Sequence, residues 1–400
     1  MRRSWKFRLY PSKTQEKQMG ECLHECKELW NSLLEYIKKY YKETGKFPTR
    51  QQLYLQTKGT PLFSQVAQNV ADRLAKCIRG MVLKRKAGMK AGFPRFKSME
   101  RMKSFTYPQF GFKLNKRLEL SGIGEIQIKK HREIAGKIKT LTIKRMPSGK
   151  WFAIFTSEIE KKPVPKKDIL PAGIDLGIEH FACLSDGTVV ENPRHLKHAE
   201  EKLKRTQRFL SRKKKGGKNR RKAKLRVALA HEKLANRRRD FLHKLSRQLV
   251  DKYSFIAMED LDVSDLAKGF IAKSALDCGW AEFSSMLCYK AEEAGCEVVL
   301  VEPANTSSGC SSCGSVQKKS LAERWHKCGC GASMHRDLNA AINMLRRATA
   351  GTAGSKPNLQ SRSGTERAEV RFSYACQEEA STYYKHNGQV SSTKQEATGL

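Results

Sequence analysis

In the stretch AGIDLGIEHFACLSDGT, residues 172–188, a carboxylate stands where its neighbours require a hydrocarbon. Ile174, Leu176, Ile178 and Phe181 read as a buried strand, and Gly187 as the turn that follows. Asp175 lies inside that run. A buried carboxylate is costly unless a hydrogen-bonded partner or a cation compensates it. Further on, YSFIAMEDL (253–261) repeats the buried-strand pattern and ends in acids. WAEFSSMLCYKAEEAG is an amphipathic helix, and CEVVLVEP a strand after it. This alternation of strands and helices predicts an α/β domain beginning at Ala172.

Two more acids bear on Asp175. Glu259 closes the FIAMED strand, and Asp337 lies in HRDLNAAINML, where the last helix begins. Each has an ordinary reading: Glu259 as a strand-end surface acid, Asp337 as an N-terminal acid favoured by the helix dipole. Acids at strand ends and at a helix start of one sheet can also converge at one edge. Converging carboxylates repel, so each wants a cation. Two Mg²⁺ ions about 3.5–4 Å apart would neutralise them and supply the chemistry of phosphodiester hydrolysis.

The chain has 400 residues and a formal net charge of +38. Such an excess opposes compaction unless a polyanion neutralises it. Nucleic acid is the leading partner, because phosphate contacts release counterions. About twenty of residues 201–250 are Lys or Arg, with few acids among them. They fit two helices joined at Gly216-Gly217, an interaction hairpin rather than a solvated one. Its densest cationic positions, Lys213, Lys214, Lys215, Arg220, Arg221, Arg237, Arg238 and Arg239, are the expected phosphate contacts. No run of 18 apolar residues suggests a membrane helix, and MRRSWKFRLYPSK lacks the core of a signal peptide. A reducing, intracellular setting is expected, with no membrane partner.

In that setting the twelve cysteines are thiols or metal ligands, not disulfides. Cys310 and Cys313 form C-x-x-C, and Cys328 and Cys330 form C-x-C, each pair followed by glycine. Four thiolates at this spacing fit one structural Zn²⁺. His326 or His335 could replace one of them. Cys22 and Cys26, one helical turn apart, fit core packing better than ligation.

Upstream, WKFRLYPSK reads as a strand ended by Pro11. Residues 14–41 have helical periodicity, and a second helix starts at Ser64, expected as its N-cap. Residues 103–160 alternate as several short strands of a small barrel or sheet. Pro163, Pro165 and Pro171 mark a linker at 163–171. Residues 348–400 lose periodicity and are expected to be mostly disordered. No internal repeat is found.

In this order, GIDLGIEHFACLSDG, IAMEDL, the two cysteine pairs and HRDLNAAINML resemble the TnpB family of transposon-encoded, RNA-guided DNA nucleases, relatives of type V CRISPR effectors. FRLYPSKTQE, GFPRFKS, RRRDFLHKLS and DCGWAEFSSMLCYKAEEAG support the likeness, which covers roughly residues 4–347. The resemblance implies a RuvC-like (RNase H-like) nuclease domain at 172–304 and 336–347, with the basic hairpin 201–250 inside it. Asp175, Glu259 and Asp337 would be its catalytic Mg²⁺ ligands. It further implies a zinc-binding insertion at 305–335, a wedge-type β-barrel at 1–10 and 91–162, and a helical recognition lobe at 11–90. SQVAQNVAD matches the family's motif-reading helix, so Gln65 and Gln68, with Thr106 as a weaker candidate, would contact base edges. Gln pairs bidentately with adenine. The implied partners are a guide RNA from the transposon end and double- and single-stranded target DNA. They would meet in a monomeric ribonucleoprotein of a prokaryotic, nucleoid-associated cytoplasm. A compact type V CRISPR effector shares these motifs. A non-catalytic transposon regulator would lack one of the acids, and none is missing. The single residue between Cys328 and Cys330, and His335 where an acid often stands, depart from the family pattern.

Overall fold

The computed structural model describes residues 2–160, 170–261, 272–302, 306–317, 320 and 323–354. The chain forms two compact units. One contains the N-terminal 163 residues and Lys202–Glu232; the other contains Val164–Glu201 and the chain from Lys233 onward.

The first unit begins with β1 (Arg2–Tyr10), where Trp5, Phe7 and Leu9 alternate inward as a half-buried strand requires. Helix α1 (Lys13–Thr44) starts in a capping box of Ser12 and Gln15 and stops at Gly45. A short α2 (Arg50–Leu55) precedes α3 (Ser64–Lys86). The N-cap of α3 is Phe63, without a side-chain cap bond, and Ser64 is already helical. Ring packing of Phe63 on Tyr107, 5.9 Å between centroids, anchors this start instead. The strands β2 (Ser104–Tyr107), β3 (Phe112–Leu114), β4 (Leu118–Leu120), β5 (Gly124–Lys129), β6 (Lys137–Arg145) and β7 (Trp151–Glu158) follow.

With β1 they make a seven-stranded antiparallel sheet in the order β2-β6-β7-β1-β5-β4-β3. The expected barrel is therefore a sheet with two edges. Edge strands β2 and β3 meet through the rings of Tyr107 and Phe112, 6.4 Å apart, and not through a hydrogen-bonded ladder. The inner face shares one core with α1 and α3, in which Cys26 is buried and Cys22 packs beside it.

Helices α4 (His195–Ser211) and α5 (Lys218–Lys252) form the basic hairpin, and Gly216 takes φ +84 at the turn. The sequence placed the whole hairpin with the nuclease domain, but its outer part groups with the first unit. Ion pairs explain the difference: Glu232 accepts from Lys150 at 2.6 Å, and Lys224 pairs with Glu100.

In the second unit, β8 (Pro171–Leu176), β9 (His180–Leu184), β10 (Val189–Glu191), β11 (Phe255–Glu259) and β12 (Glu297–Val301) form a sheet in the order β10-β9-β8-β11-β12. β9 runs antiparallel to β8, while β11 lies parallel to both β8 and β12. Helices α6 (Ala272–Cys278) and α7 (Trp280–Ala294) precede β12. A small hairpin of β13 (Trp325–Lys327) and β14 (Ser333–His335) leads into α8 (Arg336–Gly354). Leu242, Leu245 and Leu249 of α5 and Phe283 and Leu287 of α7 cover one face of the sheet. Ala340, Met344 and Ala348 of α8 cover the other, against Ala257 and Val301.

Two expected boundaries move. Pro171, assigned to the linker, opens β8 opposite Phe255, and residues 161–169 lie outside the described residues. The last helix does not stop near Arg347 but reaches Gly354, so the start of the expected disordered tail is helical. Residues 355–400 lie outside the described residues.

The approach of α8 to β8 depends on Gly173, where an added Cβ would meet the Ala341 carbonyl oxygen at 1.9 Å. Both sides of that contact are backbone, so neither can yield cheaply. Gly173→Ala should destabilise the second unit by about 3 kcal/mol, the scale of severe overpacking. Gly92→Ala, where no atom lies within 4 Å, should stay within about 0.5 kcal/mol of wild type. Urea melts of the two variants check this; equal midpoints would refute it.

Candidate functional site

Strand alternation places the acids. Gly173 faces α8, so Asp175, two residues on, faces the same side. Ala257 packs in the α8 layer, so Glu259 shares that side. The parallel register sets Ala257 beside Gly173 and Met258 beside Ile174. One more step sets Glu259 beside Asp175, on strands ~4.8 Å apart. Asp337 lies in the first turn of α8. Burial pushes the Asp175 carboxyl up to about 8, and the negative charges of Asp337 and Glu259 add to the shift; the Arg336 guanidinium offsets only part of it. Burial also raises Glu259. His335 stands 3.8 Å from the Asp337 carboxylate through Nδ1. The three acids thus form one electrostatic cluster at the carboxyl ends of two parallel strands. Their donors are hard oxygens whose negative charge the chain compensates only in part, which suits Mg²⁺.

The cysteines draw closer. All four sulfurs of Cys310, Cys313, Cys328 and Cys330 lie within 4.8 Å of one another, a closeness the three carboxylates together do not reach. The Cys310–Cys330 and Cys313–Cys328 pairs are 3.7 and 3.5 Å apart. A tetrahedral site with Zn–S bonds of about 2.3 Å needs ~3.7 Å. The backbone N–H of Cys330 and the Ser315 hydroxyl hold the Cys328 thiol down at about 6. Cys330 is at about 11: the Ala332 N–H lowers it, but the neighbouring sulfurs of Cys313 and Cys328 outweigh that. A cation is needed for all four to be thiolates together. Neither His326, buried on β13, nor His335, beside Asp337, belongs to the sulfur group.

The expected nucleic-acid contacts divide. Gln65 is committed internally: its Oε1 accepts from the backbone N–H of Gln109 and Phe110, at 3.2 and 2.8 Å. The Thr106 hydroxyl pairs with Thr142 at 2.9 Å. Gln68 is half-buried on α3. Arg220 braces the hairpin by donating to the carbonyls of Leu210 and Lys213. Arg238 pairs with Asp277 at 2.9 Å and Arg239 with Glu282 at 2.7 Å. Lys213 stacks over Phe209. Lys214, Lys215, Arg221 and Arg237 are exposed. Among the described residues, no helix is long and apolar enough to cross a membrane.

Sequence reasoning missed the part played by Asn339 and Asn343, both buried on α8. Their spacing of four residues in an otherwise apolar stretch was the available signal.

Known proteins resemble the chain over most of its length. Residues 154–269 match the family model OrfB_IS605, described as "Probable transposase". Residues 280–344 match a Cas12f1-like TNB domain, and residues 1–46 a helix-turn-helix domain of OrfB_IS605. The chain is 32% identical over 393 residues to a Streptomyces pristinaespiralis protein named "Putative RNA-guided DNA endonuclease", covering 93% of this chain and 96% of that one. It is also 32% identical over 375 residues to InsQ of Escherichia coli K12, which bears the same name, covering 86% and 91%. A cryo-EM structure of a Cas12f1–sgRNA–target DNA complex superposes with TM-score 0.56 at 16% identity, over 84% of this chain and 83% of that one; that likeness is one of fold. The chain belongs to the OrfB family of transposon-associated proteins, the TnpB family.

Two outcomes follow. Cys328→Ser should lower zinc per purified chain from about one toward zero, as read by elemental analysis; unchanged zinc would remove the site. Asp175→Asn relieves burial and repulsion of a charge. In metal-free buffer it should raise the melting temperature, and a lower one would contradict the electrostatic reading.

Proposed function

We propose that this chain is an RNA-guided DNA endonuclease of a transposable element. It would bind a guide RNA derived from the transposon end and cleave DNA beside a short adjacent motif. The observation that carries the reading is the placement of Asp175 and Glu259 on neighbouring parallel strands, on the side of the sheet that α8 and Asp337 cover. The β10-β9-β8-β11-β12 order, with β9 antiparallel to its neighbours, supports reading this sheet as an RNase H-like, RuvC-type one. The family membership supports the same assignment.

Asp175, Glu259 and Asp337 would hold two Mg²⁺ ions. When bound, these supply Lewis-acid stabilisation of the charge that develops on a phosphodiester under attack. The chain's own residues prepare that chemistry. The apolar layer of Ile174, Ile256 and Met258 keeps water from the rear of the sheet. Burial keeps the carboxylates poorly solvated, which sharpens their demand for a cation. Arg336 adds a positive charge near Asp175. Cys310, Cys313, Cys328 and Cys330 would hold one structural Zn²⁺.

The exposed Lys214, Lys215, Arg221 and Arg237 provide sequence-independent phosphate contacts for RNA and DNA. Base pairing between guide and target would supply most of the sequence choice, as in RNA-guided effectors generally. Gln68 remains the better candidate for reading the adjacent motif, because Gln65 already holds a loop. We further propose that the working particle is a monomeric ribonucleoprotein in a prokaryotic cytoplasm.

The test is expression with the native flanking locus. Wild type should copurify with a discrete RNA ending in the element's flank and should cut matched DNA with Mg²⁺. Asp175→Ala should retain RNA and DNA binding and lose cleavage to background. Random cellular RNA, or cutting by Asp175→Ala at the wild-type rate, would overturn the reading.

A further inference from the structure

Helix α8 presents two stripes. On one, Ala340, Met344 and Ala348 pack on the sheet, and the Ala341 carbonyl faces Gly173. The other, Arg336, Asn339, Asn343 and Arg346, recurs at spacings of three and four and faces the cysteine module. Asn339 is fully buried. Its Nδ2 donates to the Gly309 carbonyl at 2.7 Å, and its Oδ1 accepts the Ser311 N–H at 2.8 Å. Asn343 donates to the same Gly309 carbonyl at 2.7 Å and to that of Thr306 at 2.9 Å. Arg336 reaches the Ser320 carbonyl at 2.8 Å and the Ser307 hydroxyl at 3.2 Å, and Arg346 donates to the Ser311 carbonyl. The gripped backbone lies on both sides of Cys310. One cysteine of the sulfur group is thereby fastened, through buried amides, to the helix whose first turn holds Asp337.

We propose that Asn339 and Asn343 are positioning residues that make the placement of the Asp337 carboxylate depend on the order of the four-cysteine module. The inference rests on the nuclease reading and deepens it. A buried amide left without partners is penalised, so α8 is most stable when the loop around Cys310 is formed. Its sheet-facing stripe is equally constrained, because Gly173 leaves no clearance. The helix then has one permitted register, and a slip of one residue would swing Asp337 by about 100° around the axis. Zinc bound to the cysteines would order the loop; the loop would fix α8, and α8 would aim the acid.

Asn339→Asp and Asn343→Asp keep side-chain shape and replace a donor toward Gly309 and Thr306 with an oxygen that repels them. Three quantities are read on the full chain: zinc content, binding of RNA and target DNA, and Mn²⁺ affinity by electron paramagnetic resonance. Cleavage at saturating DNA is then followed against Mg²⁺ concentration. Zinc and nucleic-acid binding should be retained, while Mn²⁺ affinity weakens about tenfold and the Mg²⁺ midpoint rises in step. Asp175→Asn should lose Mn²⁺ binding; if it does not, the nuclease reading fails rather than the latch. Wild-type Mn²⁺ affinity and Mg²⁺ midpoint in both asparagine variants would overturn the proposal, as would loss confined to stability or zinc. Should the variants not fold, wild type stripped with a zinc-selective chelator answers the question. Hydrogen exchange at residues 337–346 should accelerate, and unchanged protection would refute the coupling.

Discussion

Asp175 sits in a poorly solvated setting within electrostatic reach of Glu259 and Asp337. The fold does not neutralise the cluster: Arg336 offsets part of the repulsion, and the Asp175 carboxyl still stands near 8. Such an arrangement lowers stability unless something outside the chain completes it. The sheet must therefore be strong enough to hold it. Two parallel ladders, β8 with β11 and β11 with β12, fix the strand ends that carry Asp175 and Glu259. Apolar layers on both faces bind those ladders to α5, α7 and α8. Stability is concentrated beneath the carboxylates and spent there.

The close packing of α8 is the second requirement. A glycine at position 173 lets helix backbone rest almost on strand backbone. With any larger residue the helix would stand off from β8, and its first turn would leave the edge where the other two acids sit. Asparagines on the opposite stripe hold the helix from the other side. The candidate site draws on three segments far apart in sequence, each with its own backbone restraint.

Much of this was legible in the sequence because burial leaves a strong periodic trace. The strands around Asp175 and Glu259 and the helix opening at Asp337 stand where alternation and spacing put them. The cysteine pairs converge as their paired spacing predicts. Charge was a poorer guide, since a Lys or Arg reads the same whether it meets phosphate or a distant acid. Arg238 and Arg239 find Asp277 and Glu282 some forty residues along, and Glu232 draws the outer hairpin to Lys150. Hydrogen bonds from side chain to remote backbone leave at most a faint local trace, such as the four-residue spacing of Asn339 and Asn343. For that reason Gln65 looked available and is not, and the asparagines of α8 passed unnoticed. Helix ends set by ring packing, as at Phe63, escape capping rules in the same way.

The order of the segments along the chain has a consequence for biosynthesis. Asp175 and Glu259 leave the ribosome first, and Asp337 follows Asp175 by about 160 residues. At ~5–20 residues per second that interval is roughly 10–30 s. During it the sheet is still being completed, since β12 ends only at Val301, and the third acid does not yet exist. The basic hairpin, complete by Lys252, emerges about midway through that interval, so a nascent chain would be able to collect RNA on it before it has any means of cutting. Hydrolytic competence would thus arrive late in translation, after the polyanion that the hairpin attracts has had time to bind.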